Sequence, residues 1–435
     1  MTEQQLPGFL DGKTILRDYA EITEVLKSRF FVTTRADDPP EAAPFRRGVL
    51  TAIDGDPHFQ RRRIESRLFT NDALRYLETR ALAPIIDAEL AGLTPPDGGV
   101  VRAELRDLLT RVLHQLAATV TGIDGVTSAA QITLFNRLID QIQAGNAVSF
   151  ARDGHQEQVR HALAAREEFR ARFFDSSLQR RQGLVRRHRA GELTAAELPR
   201  DLLTLLLLDW NPAWDADLPL REVTLYLSAS TRTMIRLALH VVEHVACWVL
   251  EHPEDRERCQ DGLFLRRAAA EALRLHAALP AVVRRATADV QLSSGRQLRA
   301  GETVGLVLTG SNLHPDWFGT DPADFDPYRQ DRMSAGVPPW GTGFGGGAHM
   351  CIGRRMVTGG DWLAGPGRAD SGLNGAFVTI LLALYGAGIE PDPDDPPQRD
   401  SATYYDTYSR YPVILTRLPA GAREPIHESD SQSGL

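Results

Sequence analysis

A mainly α-helical domain with small β-sheets is the fold class that this sequence predicts. Two observations carry it. Helical spacing of apolar residues recurs through most of the chain, and one such pattern runs from Pro219 to His252 without interruption. Thirty-odd residues at 1.5 Å each make a helix of roughly 50 Å, enough to cross a whole domain. Without a heptad seam, a helix of that length is expected to run through the middle. Strand-like runs, by contrast, are few and short. A third observation marks where the chemistry sits. Residues 344–353 read Phe-Gly-Gly-Gly-Ala-His-Met-Cys-Ile-Gly, with glycines on both sides of one cysteine. Glycine tolerates positive φ and lets other groups approach closely, so this loop is built to hold something large and flat against Cys351.

Taken in order, 14–17 is expected as a short strand and 19–30 as a helix with Ile22, Val25 and Leu26 on one face. Residues 34–47, with Asp37-Asp38-Pro39-Pro40 and Pro44, read as a loop. Gly55-Asp56-Pro57-His58 leads into Arg61-Arg62-Arg63 and a helix through Phe69. A second helix covers 71–92, and 101–123 reads as one long amphipathic helix. Helical patterns follow over 130–145, 155–185 and 199–209. After the central helix come a short one at 254–260 and another over 263–279, stopped by Pro280. Residues 289–308 read as a hairpin turning at Ser293-Ser294-Gly295. Residues 311–340 are irregular, 352–358 and 373–385 are helical, and two strands are expected near 402–418. The chain is expected to form one domain over 1–423, with 424–435 a disordered tail.

Composition narrows the function. The 435 residues include 43% hydrophobic and 24% charged side chains, ordinary for a globular protein with a sizeable core. A net charge of -8 disfavours nucleic acid as a partner. Three cysteines, Cys247, Cys259 and Cys351, do not make a disulfide framework and suit a reducing compartment. The first residues lack an apolar targeting segment and no membrane span is expected, so the location expected is cytoplasmic.

Two alternatives for the cysteine loop are weak. Zinc needs three or four ligands at short spacing, and Cys247 and Cys259 do not join His349 and Cys351 in such a group. Gly341-x-Gly343-x-x-Gly346 matches a dinucleotide fingerprint, but neither a strand precedes it nor a helix opens at its third glycine. The pattern Phe344-x-x-Gly347-x-His349-x-Cys351-x-Gly353 resembles the haem-thiolate loop of the cytochrome P450 family, soluble bacterial type, in which the cysteine sulfur is the axial ligand of haem iron. There is no Cys-x-x-Cys-His, so the haem implied is non-covalent haem b.

The resemblance extends from residue 14 to about 418. It implies a haem between the long central helix and the cysteine loop. Glu271-Ala272-Leu273-Arg274 matches the family's Glu-x-x-Arg, completed by Arg329. Haem propionates need cationic or hydrogen-bonding partners, and the positions matching the family's are His58, Arg62, Arg284 and His349, with Arg285 able to replace Arg284. Phe344 and Gly353 complete the cofactor loop. In isolation, Arg61-Arg62-Arg63 would read as a solvated face.

The central helix departs from the family. An acid–alcohol pair that relays protons is replaced by Ser228-Ala229-Ser230-Thr231-Arg232-Thr233, with Thr231 at the acid and Arg232 at the alcohol. Arginine stays protonated and relays poorly, but it anchors carboxylates well. A one-residue slip would leave Thr231 or Thr233 in service. The family's first helix is expected to be missing, and 359–372 is expected to interrupt the helix after the cysteine, on the face where the resemblance implies that electron donors dock. What the resemblance implies is a monooxygenase acting on a small secondary-metabolite substrate, with O2 and electrons from a ferredoxin and its reductase. Residues 34–52, 144–175 and Tyr404-Tyr405-Asp406 are expected to shape the pocket. Peroxide use, with Arg232 holding an acidic substrate, and a catalytically silent recruitment module remain as alternatives.

Overall fold

The computed structural model describes residues 6–34, 43–93, 100–360 and 372–417. The expected tail at 424–435, most of the 359–372 insert and part of the 34–47 loop lie outside these residues. Helices dominate, and the small sheets sit to one side.

The central helix, Leu218–Glu251, is 34 residues long and continuous. Its N-terminus carries Pro219, where a missing backbone N–H costs nothing. Its length and apolarity would suit a membrane crossing, but most of that apolar stretch is buried in the core. The helices Leu105–Thr121, Ala129–Asn146 and Gly262–Leu275 pack around it. The helix at Ala129–Asn146 opens with a Ser128/Gln131 capping box.

A four-stranded sheet runs in the order Thr14–Leu16, Thr303–Val307, Ala281–Ala286, Phe31–Thr33. The first pair is parallel and the other two are antiparallel, with Arg284 opposite both Val304 and Thr33. A three-stranded antiparallel sheet joins Val101–Glu104, Pro412–Leu415 and Ile389–Pro391.

Several boundaries differ from the sequence reading. Residues 101–104 are a strand, and the helix starts at Leu105. Their partner is 412–415, three hundred residues away, and no local pattern announces it. The helix expected over 263–279 ends at Leu275, well before Pro280. Phe31–Thr33 and Ala281–Ala286 are strands the sequence did not declare. Within 34–47, Ala43–Arg46 forms a helical turn.

Candidate functional site

The cysteine loop is held in place by a buried chain of polar contacts that starts in the Gly262–Leu275 helix. Glu271 and Arg274 lie on one face at i, i+3 and pair at 2.6 and 2.7 Å. Arg329 joins them, its Nε 2.7 Å from Glu271 Oε1. All three are almost completely buried. Arg274 also donates to the carbonyls of Asn312 and Pro322. Asn312 in turn donates to the Arg274 carbonyl and accepts from the Thr342 N–H at 2.9 Å. The guanidinium set thus fixes 311–329, and Asn312 passes that geometry to the start of the loop.

Within the loop, the Cys351 N–H donates to the Phe344 carbonyl at 2.9 Å. Gly345 and Gly347 have φ of 67° and 61°, a region that disfavours other residues. A Cβ on Gly347 would also collide with the Leu26 carbonyl oxygen. Arg62 Nη2 donates to the Met350 carbonyl at 2.6 Å and braces the turn from the opposite side.

Cys351 and Phe344 line a cavity of about 1400 Å³. The thiol is accessible from that cavity while protein surrounds it on its other sides. Burial pushes its pKa up; backbone N–H groups of Gly353 and Arg354, and the charges of Arg62 and Arg354, pull it down. These are the groups that would stabilise a thiolate.

Arginine and histidine side chains stand at one end of the cavity. His349 and Arg284 line it. Arg285 is not among the lining residues. The His58 ring lies against that of His349, with centroids 4.2 Å apart and planes tilted by 38°. Burial, then the neighbouring His349 and Arg62, depress the His58 pKa to about 4. Burial is also the main cause that lowers His349 and Arg284. His58 is 1% exposed, yet neither ring nitrogen has a hydrogen-bond partner. Asp54, which sequence reasoning missed, holds His349 Nε2 at 2.8 Å and accepts from the Thr33 N–H and hydroxyl. Only its place three residues before the Pro57-His58 step could have hinted at it.

Arg61 is no part of a solvated face. It is 3% exposed, pairs with Glu222 at 2.6 Å and lies on the Trp214 ring. Beside it Tyr226 donates to Glu65 Oε2 at 2.7 Å, and Glu65 Oε1 has no partner. Burial pushes Glu65 well above the carboxylate range and Glu222 up to about 7. Arg61 and the Leu50 N–H favour the charged form of Glu222 and oppose the effect of its burial.

Facing Cys351 across the cavity is the central helix. Thr231 is completely buried and turned away from the cavity. Its Oγ1 accepts from Gln143 and donates to the Leu227 carbonyl. Arg232 and Thr233 do line the cavity. Arg232 is nonetheless engaged, donating to Gln143 Oε1 and the Asp140 carbonyl. The hydroxyls of Ser228, Ser230, Thr231 and Thr233 each donate to the carbonyl four residues back, so none is presented as a free donor. Arg236, one turn on, was also missed, although the i, i+4 spacing from Arg232 places it on the same face. Its guanidinium lies 3.8 Å over the Tyr405 ring, and its buried Nε has no hydrogen-bond partner. Burial lowers its pKa to about 10, which leaves it cationic. Tyr404 and Tyr405 line the cavity with Thr34, Arg46 and Val148; Asp406 does not, and bonds to His276 instead.

A deep thiol on a glycine-rich loop, opposite a long helix and beside two arginines and two histidines, defines a haem-thiolate class of fold. Comparisons agree. The family model described as "Cytochrome P450" matches residues 256–358, from before the Glu-x-x-Arg helix through Cys351. Substrate-free CYP109E1 from Bacillus megaterium superposes with a TM-score of 0.66 at 18% identity, covering 93% of both chains. Nocardicin C N-oxygenase of Nocardia uniformis subsp. tsuyamanensis is 24% identical over 376 residues, covering 83% of this chain and 78% of that one. Cytochrome P450 4A24 of Sus scrofa is 25% identical over 195 residues, 40% of this chain and 36% of the relative. The match thus spans about a third of the length of this mammalian relative. Residues 256–358 match the cytochrome P450 family model, and the fold is that of the cytochrome P450 proteins.

The family implies a haem bound by a cysteine thiolate, and the residues present fit it. Cys351 offers the sulfur, Arg62 and Arg284 supply positive charge, and the orphaned nitrogens of buried His58, with His349, supply hydrogen-bonding groups that suit a pair of carboxylates.

Proposed function

We propose that this chain is a haem-thiolate monooxygenase of the cytoplasm acting on a small organic substrate that carries an acidic group. The single observation that carries the reading is the pairing of Cys351 with Arg232 and Arg236 on the walls of one cavity. Non-covalent haem b held by Cys351 would supply the oxidising chemistry with O2 and electrons from a ferredoxin and its reductase. His58, Arg62, Arg284 and His349 hold its propionates. Arg236, supported on Tyr405 and only partly satisfied, pairs with the substrate's acid; Arg232 is kept in place by Gln143 and adds to the field. Phe344 and Tyr404 exclude water from the bound molecule. A biosynthetic substrate is in keeping with the resemblance to Nocardicin C N-oxygenase.

The test is a spin-shift titration over matched acids and amides, with amino acids, peptides and fatty acids as the panel. Acids that shift the Soret band while their amides do not support the reading; an equal response to both rejects the arginine anchor.

Peroxide as oxidant is a second reading, and one observation favours it. Every hydroxyl of 228–233 is bonded back into its own helix, and an arginine stands beside them, so the usual proton relay has no free member. Turnover with peroxide alone, exceeding that with ferredoxin and reductase, would decide for it.

A further inference from the structure

Next to the Tyr404–Tyr405 part of the cavity wall, four side chains from three separate parts of the chain converge without lining the cavity. His240 and His244 stand one turn apart on the central helix. His276 is the first residue past the Glu-x-x-Arg helix. Asp406 follows Tyr405. One ligand atom each from His240, His276 and Asp406 lie within 4.8 Å of one another. His276 Nδ1 is 2.6 Å from Asp406 Oδ2, and His240 Nε2 is 3.0 Å from the Asp406 carbonyl oxygen. The other nitrogen of His276 meets His244 Nε2 at 2.7 Å.

From this juxtaposition we propose a divalent transition-metal site, with zinc as the natural occupant, made by His240, His276 and the Asp406 carboxylate. Two imidazoles and one carboxylate form a donor set that zinc accepts, and a fourth position is left for water. His244 on the far nitrogen of His276, and Arg399 on Asp406 Oδ1 at 2.9 Å, occupy the outer positions that orient ligands in such sites. The cluster has a way in, because His240 is buried but the Asp406 side chain is 40% exposed. A tetrahedral ion with bonds of about 2.1 Å has ligand atoms about 3.4 Å apart. Binding therefore parts His276 Nδ1 from Asp406 Oδ2, now 2.6 Å apart, and draws the more widely spaced donors together. The His240 and His276 rings, now stacked 3.7 Å apart and within 5° of parallel, splay so that their nitrogens converge. The His276–Asp406 shared proton leaves as the ion enters.

The site has a structural consequence. Asp406 is next to Tyr405, whose ring supports Arg236 in the cavity. An ion here ties the cavity-wall loop to both the central helix and the end of the Glu-x-x-Arg helix. Occupancy would set how firmly that wall is held, independently of what the cavity binds.

The experiment is calorimetric titration of Zn2+ into chelator-stripped, haem-loaded protein, with the Soret band as the check of folding. Wild type is expected to take up one equivalent saturably. Asp406→Ala and His276→Ala should each weaken that event by at least 10-fold. His244→Gln should weaken it 10- to 100-fold as an outer partner, and His161→Ala, on a distant exposed helix face, should leave it unchanged. Should the cluster variants fail to load haem, hydrogen exchange of the wild type serves. Zn2+ should then protect peptides containing 240–244, 276 and 402–410. Equal binding in all variants, no saturable event in the wild type, or no protection at these peptides overturns the site.

Discussion

Arg329→Lys keeps the charge in the buried triad but removes its shape, and the structure sets the cost. All five N–H groups of Arg329 are used: Nε on Glu271, Nη1 on the carbonyls of Phe318 and Thr320, Nη2 on those of Asp321 and Asp324. A lysine ammonium has three donors on a flexible stem. At least two acceptors therefore lose their partner, at about 1–3 kcal/mol each, so the substitution costs about 2–6 kcal/mol. With an unfolding entropy near 2.1 cal/mol/K per residue, 435 residues give about 0.9 kcal/mol per degree. The midpoint should fall by about 2–6 °C. The assay is thermal melting of the holoprotein followed in parallel by circular dichroism and by the Soret band. Because Asn312 passes the triad's geometry to Thr342, the Soret transition should fall at least as far as the helical one. A variant melting within 1 °C of wild type by both probes would refute the view that this guanidinium organises the loop.

Three further outcomes follow from single contacts. Gly347→Ala sets a methyl against the Leu26 carbonyl at a left-handed backbone position; recovered protein should be haem-poor by its haem-to-protein absorbance ratio, and normal loading would contradict the role given to this glycine. Arg236→Gln should weaken binding of an acid-bearing ligand by 10- to 100-fold, the value of a charge-assisted hydrogen bond of about 1.5–3 kcal/mol, and leave its amide analogue unaffected in the same spin-shift titration. Glu65 and Glu222 are raised in the folded state, so the native protein keeps a proton that the unfolded chain releases. Their contribution is complete below the ordinary carboxylate pKa of about 4.3 and is lost as pH rises through the raised values, about 7 for Glu222. Glu65→Gln should flatten this loss in melts taken across that window, and an unchanged slope would place the titration elsewhere.

How much was legible in the sequence depended on how local the cause was. The Glu271–Arg274 pair lies three residues apart on a helix, and the central helix declares itself by periodicity; both are where the residues said. Arg284, His349 and Cys351 line one cavity, with His58 against His349 and Arg62 on the Met350 carbonyl. What failed was decided at long range. The strand at 101–104 exists because 412–415 lies beside it. Thr231 and Arg232 could both be marked as unusual, but their directions are set by Gln143, almost ninety residues earlier. Thr231 therefore turned out to face the protein rather than the cavity. The helix after Glu271 stops early where His276 turns to His244 and Asp406, contacts that a single-sequence pattern does not contain. Arg61 looked solvated because its partner, Glu222, is 161 positions away.

The most direct measurement is the absorption spectrum of the reduced carbon monoxide complex, taken for the wild type and for Cys351→Ala. The wild type should bind haem and show the thiolate-type Soret shift, and the variant should lack it. A wild type without haem, or a thiolate-type shift that survives the loss of Cys351, would contradict the assignment of this cysteine as the ligand.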